Sequence, residues 1–433
     1  MSGKQPNPKN NGRAAFGYPN FRFFIGARFL TTISSEMQSV AVAWQVYNLT
    51  HRPLDLGLVG LAQFLPGICL FLVAGHTADR IPRLRILQTC YGGFAACSLL
   101  LLLLTVLGLS STIPIYGVLL LNGAVRAFNF PASQAFVPLL VAPEHFPNAV
   151  AWSSSVFQTA TIAGPMLGGV LYGLTGSPIL VYTSAAVCYF TALLLLSRIR
   201  LKATERKQSA ASLGIVLNGL RYIWRNKLIL GAISLDLFAV LLGGAVALLP
   251  IYAREILQTG AMGLGVLRSA PGAGAVIMGL LLAHRPLQRR AGLTMLSCVF
   301  AFGAATVVFG LSRNLTLSLV MLFLVGASDT VSVIVRHTMI QLSTPDEMRG
   351  RVSAVNMVFI GASNEVGQFE SGLTAQWFGA VPAVVLGGVG TMLIVIAWSQ
   401  LFPQLRNMDK LAPAEFLGLA VEESARDTGA APG

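Results

Sequence analysis

Charge is scarce in this chain. Only 11% of its 433 residues are Asp, Glu, Lys or Arg, against about 25% in soluble globular domains, which argues against a soluble protein. The scarcity is uneven. No Asp, Glu, Lys or Arg occurs from Ile86 to Val125, from His145 to Ser197 or from Ser371 to Leu405. Each run has room for at least one membrane helix of ~20 residues, and the second for two. Cysteine is scarce as well. The five cysteines, Cys69, Cys90, Cys97, Cys188 and Cys298, all lie in apolar segments. Their odd number and the absence of metal-ligand spacing make them packing residues, with no metal site implied. Catalytic and nucleotide signatures are also missing. Without a phosphate loop the chain is not an ATP-driven pump by itself, and H-E-x-x-H, G-x-S-x-G and paired-Cys spacing are absent, so neither an enzyme nor a cofactor is expected. A channel needs a repeated filter or rings of charge, and the sequence has neither.

Apolar residues make up 54% of the chain and the mean hydropathy is +0.69. The net charge of +13 invites a nucleic-acid reading, but its distribution rejects it. Lys and Arg gather in the first residues, at Arg80–Arg85, between Arg198 and Lys227, at Arg285–Arg290 and at Arg349–Arg351, while alternate loops carry almost none. Basic loops stay on the cytoplasmic side of a multi-spanning protein, so a multi-pass membrane protein with both termini cytoplasmic is expected. The first residues are polar and the first apolar segment is too long for a cleavable signal.

Read in order, residues 1–20 form a basic cytoplasmic tail. Spans follow near 21–48, 54–74, 86–109, 114–140, 148–173 and 177–197. A basic linker, 198–227, contains the amphipathic stretch LGIVLNGLRYIW, whose apolar face suits the membrane interface. Six more spans fall near 228–253, 262–283, 292–311, 315–341, 351–377 and 381–402, and the Ala/Gly/Pro-rich tail from Pro403 has a disordered composition. The halves echo each other. At an offset of 205, Tyr47, Gly60, Pro66, Gly67 and Arg80 meet Tyr252, Gly265, Pro271, Gly272 and Arg285; at an offset of 202, Pro143, Val150, Val156 and Phe157 meet Pro345, Val352, Val358 and Phe359. The expected fold is therefore an all-α integral membrane protein, with twelve transmembrane helices in two pseudo-symmetric six-helix bundles, 21–197 and 228–402. Repeats of this kind place a substrate at mid-membrane.

Ionisable residues inside apolar spans are expensive and by default functional. Asp329 and Arg336 stand two turns apart near one face of the tenth span, and Arg28 and Glu36 do so in the first. Glu365 and Glu370 lie in the eleventh span and face different ways. At 1.5 Å per residue, Arg126 lies ~18 Å into the fourth span and Glu36 ~20 Å in from the opposite end, close enough in depth for a functional pair or a static ion pair. Asp236, in the seventh span, reads as shallower. In the turn TPDEMRGR, Thr344 or Asp346 can cap the following helix, Pro345 suits its first turn, and Asp346 and Glu347 oppose its positive end.

The segment from Gly326 to Gly372, with its TPDEMRGRV turn and Ser363-Asn364-Glu365-Val366-Gly367-Gln368-Phe369-Glu370-Ser371-Gly372, resembles helices ten and eleven of the major facilitator superfamily, in the branch of enterobactin exporters and macrolide efflux pumps. Gln368 stands where a second acid is common. Two further motifs are similar to signatures of that superfamily. Gly75, Asp79, Arg80 and Arg83 match its loop signature after the second span, with Pro82 and Leu84 departing from it. The resemblance implies a gating latch, in which an acid faces a helix N-terminus and arginines clamp neighbouring acids; a positive-inside anchor is the alternative. Gly164, Pro165, Gly168 and Gly169 match the core of an antiporter signature, although Ala151 and Ala160 replace upstream glycines; close helix packing alone also explains them.

The resemblance implies proton-coupled export of a small amphipathic molecule, such as a siderophore, a macrolide or another drug-like compound, by a monomer in the lipid bilayer. Glu36, Arg126, Asp329, Arg336, Asn364 and Glu365 are the candidate proton-coupling and substrate residues. An importer or flippase of organic-acid or lipid-like substrates, and a non-transporting membrane sensor or assembly factor, are the alternatives.

The topology is testable. Cysteines introduced into the linker between Arg198 and Lys227 should resist impermeant thiol reagents in intact cells, and labelling there from outside would overturn the span map.

Overall fold

The computed structural model describes residues 12–108, 111–200, 213–285 and 290–409. The regular structure of these residues is helical. Its long helices are α1 (Pro19–Thr50), α2 (Pro53–Arg80), α3 (Arg83–Val106), α4 (Ile113–Phe136), α5 (Phe146–Thr175) and α6 (Ile179–Ser197). They continue with α10 (Gly260–His284), α11 (Ala291–Leu311), α12 (Leu315–Leu342), α13 (Asp346–Phe378) and α14 (Ala380–Leu401). Shorter elements are α7 (Leu213–Arg225), α8 (Lys227–Leu242), α9 (Leu249–Ile251) and α15 (Pro403–Arg406). Among the described residues, nine helical segments are long and apolar enough to cross a membrane. Helices α1, α5 and α13 are not among those nine. They are long enough to span ~30 Å at 1.5 Å per residue, but they carry much of the chain's buried polar chemistry.

The chain divides into two compact units. One comprises Met1–His51, Ala62–Ala211 and Thr259–Ser269; the other comprises Arg52–Leu61, Ser212–Gln258 and Ala270–Gly433. Helices α2 and α10 therefore each contribute to both.

In the first unit α1 packs on α5 and α6, and α3 packs on α4 and α6. Phe21, Phe24, Leu87, Tyr91, Phe136, Tyr189 and Leu196 fill the contact. Polar groups of α1 buried in this contact find partners across it. Gln45 accepts from the Tyr182 hydroxyl at 2.6 Å and donates to Thr105 Oγ1 at 3.1 Å, and Gln38 accepts from Ser98. Ahead of α1, residues expected to be tail are docked. A 3-10 turn at Ala14–Gly17 buries Ala15, Trp152 donates to the Gly12 carbonyl at 2.7 Å, and Phe16 meets Trp152 edge-on at 4.8 Å.

In the second unit α8 packs on α13 and α14, and α11 on α12 and α14, around Ile229, Leu235, Met295, Val335, Met339 and Val352. The expected span 228–253 is broken. Helix α8 ends at Leu242, and Gly243-Gly244 leads into a 3-10 turn, α9 and a π-helical turn at Tyr252–Ile256. The glycine pair admits a neighbour: a methyl group at Gly244 would lie 2.6 Å from the Gly367 carbonyl oxygen.

The amphipathic α7 packs on the start of α13. Ile223 is buried there and the Tyr222 hydroxyl donates to the Ser343 carbonyl at 3.3 Å. One expectation from composition changes here: the C-terminal tail does not begin at Pro403. Beyond α15, the backbone and side chain of Asp409 accept from Ala291 and Arg290 N–H groups, satisfying amides at the start of α11 that have no intrahelical partner.

Close approaches between helices are made at glycines. A methyl group on Gly123 of α4 would strike the Gln63 carbonyl of α2, whereas one on Gly117 of the same helix meets nothing within 4 Å. Gly123→Ala should destabilise the protein by ~1–3 kcal/mol through overpacking, and Gly117→Ala should be neutral or stabilising. Thermal unfolding in detergent reads the difference; equal melting temperatures for the two variants would mean that α2 and α4 are not in contact there.

Candidate functional site

The first unit places Glu36, midway along α1, against the small-residue face of α5. A methyl group on Gly164 would strike the Glu36 side chain, and one on Gly168 would lie 2.7 Å from the Met37 carbonyl oxygen. One on Gly169 would lie 2.6 Å from the Ala261 carbonyl oxygen of α10, and one on Gly265 would lie 2.5 Å from that of Pro165. The motif Gly164-Pro165-Met166-Leu167-Gly168-Gly169 thus lets α1 and the first turns of α10 close on adjacent faces of α5. That approach brings a second cation to Glu36. The charges acting on its carboxylate are those of Arg268, on α10, and Arg126, on α4. Arg268 also donates to Ser39 of α1 at 2.8 Å. Sequence reasoning paired Glu36 with Arg126 alone and passed over Arg268. Its signal was present, since an arginine stands inside the apolar run Gly263–Ala275. Arg28, two turns before Glu36, lies over the Phe157 ring of α5 at 5.9 Å, a cation–π arrangement that lets an arginine sit among apolar groups.

The loop after α2 is described in part. The Asp79 side chain lies outside the described residues, while Gly75 is half-buried and Arg80 exposed. Arg83, at the start of α3, donates to the Ala135 carbonyl in the last turn of α4 at 2.6 Å. A cation at a helix C-terminus complements the dipole, and here it ties α3 to α4.

The second unit holds a different set. Arg336 of α12 is 2% exposed and forms an ion pair with Asp236 of α8, itself 8% exposed. Asp236, read from sequence as shallow, is therefore central to this cluster. Asp329, two turns before Arg336, lines a cavity of roughly 10 Å³ with Asp236, Ser332, Val299 and Phe302. On α13, Gln368 donates to Glu365 at 3.1 Å and Thr374 to Glu370 at 2.7 Å. The Glu365 and Gln368 side chains face Gly60 of α2, where an added methyl group would lie 3.2 Å from each. Asn364 is exposed and donates to the Ile360 carbonyl of its own helix at 2.8 Å. The structure thus brings Asp329 and Arg336 together with Asp236, and leaves Asn364 outside that set.

The TPDEMRGR turn differs from its expected capping. The Thr344 hydroxyl turns back to the Ile340 carbonyl at 2.6 Å, the N-cap residue of α13 is Pro345, which has no side-chain acceptor, and the Asp346 side chain lies outside the described residues. Arg349 instead reaches back to the Gln341 carbonyl at 3.1 Å and the Thr344 carbonyl at 3.5 Å. It satisfies the exposed end of α12 rather than the start of α13.

Comparison with known proteins agrees with this architecture. The sequence profile of the transmembrane secretion effector family matches residues 11–427. The enterobactin exporter EntS of Shigella boydii serotype 4 (strain Sb227) is 29% identical over 383 residues, which cover 88% of this chain and 87% of the exporter. The enterobactin exporter EntS of Escherichia coli O139:H28 (strain E24377A / ETEC) shows the same identity and coverage. A solved bacterial homologue of the human lysosomal transporter Spinster, inward-facing and unoccupied, superposes with a TM-score of 0.69 at 13% identity over 89% of this chain and 98% of its own. A bacterial homologue of the iron transporter ferroportin, inward-facing, gives 0.66 at 15% identity over 88% and 98%. At such identities these structures establish the fold, an all-α multi-span membrane architecture. With the profile matched over nearly its whole length, the chain belongs to the transmembrane secretion effector family of the major facilitator superfamily, and it is a multi-pass inner-membrane protein that moves a small molecule by secondary transport.

Proposed function

We propose that this transporter exports a small amphipathic molecule in exchange for protons by alternating access. In this reading twelve helices cross the membrane as two six-helix bundles, 21–197 and 228–402, joined by a cytoplasmic linker at 198–227, and the protein works as a monomer with both termini in the cytoplasm. The likeness to enterobactin exporters favours a siderophore or a compound of similar size and polarity. Gly75, Asp79, Arg80 and Arg83 form the cytoplasmic latch, and the contact of Arg83 with the end of α4 supports the clamping half of that role.

One observation carries the coupling. Glu36 stands on a helix face pressed against glycine, with two guanidiniums acting on it from two other helices. Burial favours a protonated carboxyl, whereas a nearby guanidinium, always charged, favours the carboxylate. A change in the distance to Arg126 or Arg268 therefore changes the proton affinity of Glu36, tenfold for every ~1.4 kcal/mol of altered interaction. Alternating access provides such a change if α4 or α10 moves relative to α1. Outward exposure loads the proton; inward exposure, with the guanidiniums close, releases it and leaves room for substrate. Arg126, Asp329, Arg336, Asn364 and Glu365 complete the proton and substrate residues.

Glu36→Gln should keep substrate binding and lose accumulation driven by an imposed proton gradient in liposomes. Arg126→Lys should also fail, because an ammonium lacks the planar fork and can lose its proton. Undiminished gradient-driven accumulation by Glu36→Gln would move the coupling proton off α1.

A further inference from the structure

The second unit encloses a charge set that does not balance. Asp236 and Arg336 form a buried ion pair between α8 and α12, and Asp329 opens onto the same small cavity as Asp236. Two carboxyls thus share one guanidinium. The cavity, roughly 10 Å³ and walled by Val299, Phe302 and Ser332, has space on the order of one water molecule. Like charges sharing such a site do not both ionise readily, and a buried charge without a partner is strongly disfavoured.

One other titratable group acts on this set. On α12 itself His337 follows Arg336, is exposed on the helix surface and feels the charges of both Arg336 and Asp236; the Arg336 guanidinium beside it disfavours a second cation there. Helix α11 presents Val299 and Phe302 to the cavity, and α10 meets α12 through Pro271 and Gly274 against Gly326 and Phe323. Helix α14 has no ionisable side chain. On α13 the acids Glu365 and Glu370 bond to Gln368 and Thr374, and Glu347, Arg349 and Arg351 lie in its first turns. Arg221, Arg225 and Arg406, on α7 and α15, are exposed.

We propose that the set Asp236–Arg336–Asp329 stores one exchangeable proton, carried by the Asp329 carboxyl while Arg336 holds Asp236 as a carboxylate. The exchange has a visible receptor. Arg336 Nε is buried and has no hydrogen-bond partner among the described residues, so a guanidinium N–H is available on the face of α12 that also carries Asp329. When the Asp329 O–H gives its proton to water entering the cavity, the new carboxylate can take that donor, and Arg336 is then shared by two acids. Proton uptake reverses the step, and no other atom changes hands. The site stands apart from the role of Glu36, which lies in the other unit, and it adds Asp236 to the residues that govern proton binding.

Infrared difference spectroscopy of the purified full-length protein in sodium-free detergent tests this without transport. The wild type should show a protonated carboxylic C=O stretch at neutral pH that Asp329→Asn removes. Asp236→Asn should remove it too, because Asp329 becomes the sole counter-ion of Arg336 and ionises. Asp329→Glu should keep the band at a shifted frequency, which guards against loss through misfolding. Glu36→Gln should leave it intact, so this test and that of the coupling acid fail separately. A band that survives both aspartate substitutions, or one lost only with Glu36→Gln, would overturn the assignment. So would a band present without sodium and abolished by adding it, since the balancing cation would then be a metal ion.

Discussion

A charge within a membrane-spanning helix needs a partner supplied by another helix, and that need organises this protein. The cost of an isolated charge at mid-bilayer is at least ~2.5–3.5 kcal/mol on insertion scales, so a helix bearing one is tied to the helix that neutralises it. Asp236 ties α8 to α12 through Arg336. Arg126 of α4 and Arg268 of α10 act on Glu36 of α1, and Arg268 also bonds to Ser39 of that helix. Close approach makes these ties possible, and glycine makes the approach possible. In hydrocarbon there is little hydrophobic drive between helices, so small residues that let backbones meet carry the packing. Gly164 and Gly168 seat α1 on α5, Gly169 and Gly265 seat α10 on the same helix, and Gly123 seats α4 on α2.

The two halves use one plan with opposite signs. Gly123 of α4 abuts Gln63 of α2, and Gly326 of α12 abuts Pro271 of α10. Three residues beyond each glycine stands a charge, Arg126 in the first half and Asp329 in the second. Each half also sets an acid on an early helix, Glu36 on α1 and Asp236 on α8, with a cation from a later one acting on it, Arg126 of α4 and Arg336 of α12. A repeat that keeps the glycine contact and changes the charge beside it yields two sites with different electrostatics on the same backbone. The likeness between halves is thus clearest in glycine and proline positions, where the backbone sets the limit, and weakest where side chains carry chemistry.

Much of this was legible in the sequence, and the gaps have physical causes. Intramembrane charges identified Glu36, Arg126, Asp329 and Arg336, because hydrocarbon makes such residues conspicuous. Asp236 read as a shallow residue of its span, and depth along one helix does not show that Arg336 of α12 meets it across the interface. Spacing put Asp329 and Arg336 on one face, but spacing within a helix says nothing of a nearer partner across the interface. Composition marked α7 as amphipathic without saying that α13 would cover Ile223. Capping rules described the start of α13, whereas the side chain that matters at that turn, Arg349, serves the end of α12.

The central claim is that this family member couples export of a small amphipathic molecule to proton entry. It is tested most directly by the accumulation of a panel of siderophores, macrolides and other drug-like compounds in cells with and without the protein, each with and without a proton uncoupler. The account predicts at least one compound whose accumulation falls when the protein is present and recovers when the uncoupler is added. Export that persists undiminished in uncoupled cells would contradict it.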